Sequence, residues 1–169
     1  MTDRQMTAIE EQVTSAFEEM RDDMYRYLLT LGLPSPQAQD VTQEVFLRLY
    51  LALQKGDLIQ NRRGWVFRVA HNLGLDWRAK ERTQPFGPDM EAFLRDARPS
   101  ADASLIERER MKQIADAWKT LSAQQQQCLY LRAEGLKYRE IGEVLGISIS
   151  TVREFLTRAI AKLQRTVYE

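Results

Sequence analysis

Residues 138–158, YREIGEVLGISISTVREFLTR, constrain the fold more than any other stretch, because they hold two short helical patterns on either side of a glycine turn. Ile141, Leu145, Ile147 and Val152 are spaced to form a small core between two crossing helices. Gly142 lets the helices approach closely, Gly146 supplies the turn, and Ser148 can cap the second helix. The pattern reads as a helix-turn-helix, with an ordinary helical hairpin as the alternative. In such a motif the exposed start of the second helix meets base edges in the major groove. Here that surface offers Ile149, Ser150, Arg153, Glu154 and Thr157.

The rest of the chain is patterned for helices too. Met6, Ile9, Val13, Phe17, Met20, Met24, Leu28 and Leu31 recur every three or four residues, the period of one helix face. Gly32 can end that helix in a left-handed cap. Ser35-Pro36 is expected to start the next one with a capping hydroxyl and a proline at the first position. Val41, Val45, Leu49 and Leu53 line its inner side, Lys55-Gly56-Asp57 breaks it, and Trp65, Val66, Val69, Leu73 and Trp77 mark a third helix.

From Thr83 the text TQPFGPDMEAFLRDARPSADA has three prolines and no sustained period, which reads as a linker whose Phe86, Phe93 and Leu94 could dock. Leu105, Met111, Ile114, Ala115 and Trp118 begin a second helical unit. Ser122 and Gln125 have capping-box spacing, and Gly135 stops the helix they start. The four glutamines at 124–127 are expected to form a solvated helix face rather than a low-complexity tract. The expectation is an all-α chain of two small helical domains, residues 1–83 and 104–169, joined by a linker at 84–103, with the helix-turn-helix in the second.

Composition narrows the function classes. In 169 residues there is one cysteine, Cys128, and one histidine, His71, so no intramolecular disulfide forms and the usual zinc spacings are missing. Cys128 reads as a core thiol and His71 as a surface or DNA-facing residue. The polar N-terminus and the lack of a run of about 18 apolar residues lead us to expect a cytoplasmic protein. No nucleophile–base pair, phosphate loop or metal cluster stands out, so neither an enzyme nor a cofactor is expected. The net charge of zero conceals segregation, with −5 over residues 1–61, +4 over 62–83, −3 over 84–107 and +4 over 108–169.

Two further surfaces follow from spacing. Asp40, Gln43, Glu44 and Arg48 form a polar stripe on the side of their helix away from Val41, Val45 and Leu49, either simply solvated or available to a partner. The third helix mixes Arg62, Arg63, Arg68, Arg78, Lys80 and Arg82 with Trp65, Phe67, Trp77 and the amide of Asn72. Cations can hold a phosphate backbone while rings and amides accept unpaired bases, with each stacked base worth about 1–3 kcal/mol.

These stretches together resemble one family. Residues 121–148, LSAQQQQCLYLRAEGLKYREIGEVLGIS, are similar to the C-terminal DNA-binding domain of bacterial sigma factors of the extracytoplasmic-function (ECF) group. AQDVTQEVFLRLYLAL, residues 38–53, resembles that family's core-polymerase-binding helix, and GWVFRVAHNLGLDWRAKER, residues 64–82, its promoter-melting helix. The resemblance implies that Asp40, Gln43 and Glu44, with Arg48 beside them, grip the clamp coiled coil of the polymerase's largest subunit. It implies that a flipped base of the minus-ten element lodges at Asn72 and the loop 58–63. Asn61, Arg62, Arg63, Trp65, Arg68, Arg78, Lys80 and Arg82 would then serve the same strand. The minus-thirty-five element would meet Ser148, Ile149, Ser150, Thr151, Arg153, Glu154, Thr157 and Arg158.

The function so implied is transcription initiation: binding core RNA polymerase, recognising promoter DNA and assisting strand opening, with an anti-sigma factor as a further candidate partner. Two rivals remain, a helix-turn-helix DNA-binding regulator without polymerase contact and a protein-binding helical adaptor. One departure matters. Where relatives commonly follow Thr-Val with a basic residue, a small residue and arginine, this chain reads Thr151-Val152-Arg153-Glu154-Phe155. Glu154 can accept a hydrogen bond from a cytosine amino group, and Phe155 can touch a thymine methyl or pack on protein. The alternative is a helix with weakened DNA contact that serves a protein partner.

Overall fold

A computed structural model describes residues 3–81 and 101–168, apart from the side chain of Val167. Helix α1 runs Asp3–Thr30, α2 Ser35–Gln54 and α3 Arg62–Lys80. The apolar side of α1 buries Ala16, Met20, Met24, Tyr27 and Leu28 against Val45, Phe46 and Leu49 of α2 and Val66, Phe67 and Ala70 of α3. Each fully buried side chain of this size contributes about 1.5–3 kcal/mol, so these three faces are what hold the helices in register. The α1 C-terminus closes at Gly32, whose N–H reaches the Leu29 carbonyl at 2.9 Å while Leu33 N–H reaches Leu28 at 3.2 Å. The start of α2 differs from expectation. Pro34 is the capping residue and makes no side-chain cap, while the Ser35 hydroxyl bonds instead to the Tyr25 hydroxyl at 2.8 Å.

In the second half, α4 spans Leu105–Lys119, α5 Ala123–Ala133, α6 Tyr138–Leu145 and α7 Ile149–Tyr168. Reciprocal capping boxes start α4 at Ser104 with Glu107 and α5 at Ser122 with Gln125. Gly146, at φ 67°, makes the turn between α6 and α7, a left-handed conformation that favours glycine. Gly142 is needed for a different reason, since a Cβ there would stand 2.7 Å from the Ile147 carbonyl oxygen. Ile141 and Val152 are fully buried between the helices with Val144 beside them, and Leu145 and Ile147 are half-buried against the same core.

One expectation about this half fails. Gln125, Gln126 and Gln127 are buried, not solvated, because Gln125 closes the capping box and the Gln126 amide donates to the Trp118 carbonyl at 2.9 Å. The same carbonyl also accepts from the Leu121 N–H at 3.1 Å, so it serves the end of α4 and the start of α5 together. On α4 itself only Ala117 is buried, and Leu105, Ile106 and Ile114 are exposed. The predicted docking of Phe86, Phe93 and Leu94 falls outside the described residues.

The two halves touch. The buried core runs without a break from Tyr27 and Phe67 in the first half to Cys128, Tyr130 and Leu131 in the second. The Tyr27 and Tyr130 rings lie 5.7 Å apart, and the Tyr130 hydroxyl donates to the Asp23 carbonyl at 2.8 Å. Burial pushes the Cys128 thiol up to about 11, so it stays protonated as a core thiol. None of the described helices is long and apolar enough to cross a membrane.

Candidate nucleic-acid and partner interfaces

On α2, Asp40, Gln43 and Arg48 are exposed and Glu44 is half-buried. The Arg48 Nε donates to Glu44 Oε1 at 2.9 Å, one turn along the helix. Leu47 and Leu51 lie on the same side, 52% and 44% exposed. The stripe is therefore a mixed surface of charge and leucine, the composition of an interface centre more than of a solvated face. The sequence held this signal, since Leu47 and Leu51 are one turn apart and off the face carrying Val45 and Leu49.

The basic third helix divides into three classes. Arg68, Asn72 and Lys80 are exposed, and helical spacing sets Arg68 and Asn72 one turn apart on the same side, next to the exposed Leu75. Trp65 and Trp77 are half-buried and pack against the core, which limits both as stacking platforms. Burial lowers the Arg78 pKa from its usual value. His71 is buried rather than surface or DNA-facing. Its Nδ1 lies 2.7 Å from the Tyr27 hydroxyl, and burial lowers its pKa to about 4, so the ring is neutral at pH 7. Arg82 lies outside the described residues.

Asn61, Arg62 and Arg63 form the third class, because each already has a partner. Asn61 caps α3, accepting from Gly64 N–H at 3.1 Å, while its Nδ2 donates to Glu140 of α6. The Arg62 guanidinium donates to the Gln12 side chain at 3.0 Å. Arg63 stands among three carboxylates, with Glu19 at 3.2 Å, Asp23 at 3.8 Å and Glu134 at 3.1 Å. Beside them a cleft of about 350 Å³ is lined on one side by residues 57–61, Trp65 and Arg68, and on the other by Glu140, Glu143 and Val144. Among the described residues no group of acidic, histidine or cysteine side chains could hold a metal ion.

The start of α7 is open. Ile149, Ser150, Arg153, Glu154, Thr157 and Arg158 are exposed. The Ser148 Oγ accepts from Thr151 N–H at 3.2 Å and shares its hydroxyl with Ser150 and Thr151 at 3.0 and 2.8 Å, so Ser148 and Thr151 build the cap as well as facing outward. Glu154 is not a free carboxylate, since Arg158 Nη2 lies 2.5 Å from its Oε1. Phe155 is half-buried and packs against the core of the motif.

Comparison with known proteins agrees with these elements. Residues 16–84 match the family description Sigma-70 region 2, and residues 111–163 match Sigma-70, region 4. The ECF RNA polymerase sigma factor SigL of Mycobacterium tuberculosis is 31% identical over 159 residues, which cover 90% of this chain and 87% of the relative. In fold, the chain is similar to the sigma factor RpoE from Bartonella quintana, solved with the anti-sigma factor NepR. The TM-score there is 0.67 at 17% identity, over 94% of this chain and 98% of that one. It is likewise similar to CnrH, solved with the cytosolic domain of CnrY, with a TM-score of 0.63 at 20% identity over 96% of this chain and 91% of that one. With a region 2 of three helices followed by a region 4 built on a helix-turn-helix, the chain belongs to the ECF family of RNA polymerase sigma factors.

Proposed function

We propose that the chain binds core RNA polymerase through α2, directs it to a promoter through α7, and captures a single strand of the minus-ten element along α3. The observation that carries this reading is the presence, on one chain and in order, of three separate surfaces: the stripe of Asp40, Gln43, Glu44, Leu47, Arg48 and Leu51, the exposed Arg68 and Asn72, and the open reading face from Ile149 to Arg158. A regulator that only bound duplex DNA would need α7 alone. A protein adaptor would need no cations around the cleft.

Within this reading residues 1–83 serve the polymerase and the minus-ten element, residues 104–169 serve the minus-thirty-five element, and 84–103 connects them. Asp40 and Glu44 meet cations across the polymerase interface, where charge pairs set encounter and register. Arg62, Arg63, Arg68, Arg78, Lys80 and Arg82 position phosphates, and Asn61 and Asn72 contact a base. The chain works in the cytoplasm as a non-catalytic factor, nucleotide addition belonging to the polymerase. The structure of similar fold solved with the anti-sigma factor NepR supports such a factor as a candidate partner.

Reconstituted transcription tests the whole reading. With core polymerase and a fork-junction template, added protein should give promoter-specific initiation. Holoenzyme that neither forms nor initiates would sink it.

A further inference from the structure

We infer that the groove between the first turns of α4 and the end of α7 is a docking site for a segment of this same chain, residues 89–97, which lays Met90, Phe93 and Leu94 onto Leu105, Ile106 and Tyr168. The groove shares no residue with the three surfaces proposed above, so its occupant can be tested independently of polymerase and promoter binding.

Leu105, Ile106 and Tyr168 are 82%, 80% and 85% exposed and, with Glu109, Arg110 and Gln113, line a groove of about 630 Å³. Three large apolar side chains gathered in one concavity mark a contact site, unlike apolar residues scattered singly over a surface. Fraying of the helix end does not account for them. The Ser104–Glu107 capping box fixes the start of α4, and the Arg108 guanidinium donates to the Ala101 carbonyl at 3.2 Å, which ties down the chain just ahead of the helix. Yet the only buried side chain of α4 is Ala117, near its far end. The first turns are thus held in place with their apolar side uncovered.

The sequence supplies an occupant. Met90, Phe93, Leu94 and Ala97 stand at i, i+3, i+4 and i+7, the spacing that gathers apolar side chains on one side. This segment lies outside the described residues and rejoins them at Ala101, four residues before Leu105. At about 3.5 Å per residue, the seven steps from Leu94 to Ala101 reach roughly 24 Å, enough to fold back over the groove. Charge agrees with this pairing, since Asp89, Glu91 and Asp96 can meet Arg110 and Lys112, and Arg95 can meet Glu109. Tethering favours the segment over a second copy of the chain. A short connection holds it at an effective concentration on the order of millimolar, which a separate chain in dilute solution does not match. Any other protein that takes this groove must therefore displace the segment.

Limited trypsin digestion of the full chain reads the docking. Trypsin can cut after Arg95, inside the segment, and after Arg82, ahead of it, while Pro99 blocks the bond after Arg98. Leu105→Ser with Ile106→Ser, both at exposed positions, should speed cutting after Arg95 at least tenfold over wild type and leave the rate after Arg82 unchanged. Phe93→Ser with Leu94→Ser should do the same from the segment's side, without altering any residue of the described helices. All four changes together should add nothing beyond either pair, because both pairs break one contact. A wild-type rate after Arg95 in either double variant would overturn the inference, and so would equal acceleration at Arg82, which reports general loosening. Protection of Arg95 that disappears on dilution would assign the groove to a second copy, and protection that appears only with core polymerase would assign it to the polymerase; either outcome overturns docking within one chain.

Discussion

The Tyr27 hydroxyl and the Nδ1 of His71 lie 2.7 Å apart inside the first half, although 44 residues separate them in sequence. With burial holding the imidazole at about 4, below its usual 6.5, the ring is neutral in the fold and must charge when the fold opens in acid. The stabilisation is therefore present above pH 6.5 and is lost as pH falls towards 4. An NMR titration of this single histidine should give a midpoint near 4, and denaturant midpoints should fall between pH 6.5 and 4. A midpoint at 6.5 would place His71 in water.

Glu134 titrates with the opposite consequence. Burial first, then a hydrogen bond and repulsion from Asp23, raise its carboxyl from 4.5 to about 7, against the lowering effect of Arg63 and Arg26. Tyr130, on its own helix, is the other titratable neighbour. Because the folded value is raised, the stability Glu134 contributes is fully present below pH 4.5 and is lost as pH rises through about 7. The denaturant midpoint of wild type should fall more steeply from pH 5.5 to 8 than that of Glu134→Gln, and equal slopes for the two would remove Glu134 as the cause.

Leu47 and Leu51 should matter more to the polymerase than to the fold. Their truncation to alanine at half-exposed positions should change stability by about 0.5 kcal/mol or less, yet lower holoenzyme affinity at least tenfold if they sit at an interface centre. Reversing Asp40 and Glu44 to arginine should abolish holoenzyme formation in a folded chain. Co-elution of either variant with core polymerase at wild-type affinity would remove that pair from the interface.

Arg68 and Asn72 are neighbours on α3 with different expected roles. Arg68→Ala should weaken binding to every strand and flatten the salt slope by roughly 0.7 for one lost phosphate contact on single-stranded DNA. Asn72→Ala should leave the slope alone and relax base preference. Filter-binding across a salt series on several strands separates the two, and identical effects on all of them would contradict this division.

The Glu154–Arg158 pair is exposed and contributes only about 0.3–0.5 kcal/mol to the helix, so Glu154→Ala should leave stability nearly unchanged. Selection from random duplex DNA should then lose a cytosine preference in the minus-thirty-five site while overall affinity rises, since Arg158 is released to reach a phosphate. An unaltered selection profile would take Glu154 out of the reading set.

What could be read without the structure was whatever depends on neighbours in sequence. The α1 period from Met6 to Leu31, the Ser122–Gln125 cap, the Gly135 stop and the Gly142–Gly146 turn are all set within about one or two helical turns. The errors share another property. His71 is buried because Tyr27 lies across from it, Arg63 is engaged because Glu134 arrives from 71 residues away, and Ser35 turns from capping to meet Tyr25. Leu105 and Ile114 follow a helical period yet are 82% and 39% exposed. Periodicity reports that a side faces something, and the identity of the facing group comes only from the fold. For the surfaces, the polar stripe and the start of α7 were legible because they are exposed, while the occupation of Asn61 and Arg63 was not.

The buried glutamines at 125–127 give the chain a particular genetic vulnerability. Runs of one residue are prone to gain or lose a copy, and in a flexible tail such a change is silent. Here Gln125 and Gln126 are fixed to Ser122 and Trp118, so one added glutamine would rotate everything downstream by about 100° about the helix axis. Cys128 and Leu131 would swing out of the core, and Tyr130 would lose its reach to Asp23. The number of glutamines is therefore fixed by the phase of α5, and a length variant of this short run would act as a loss of the whole second half.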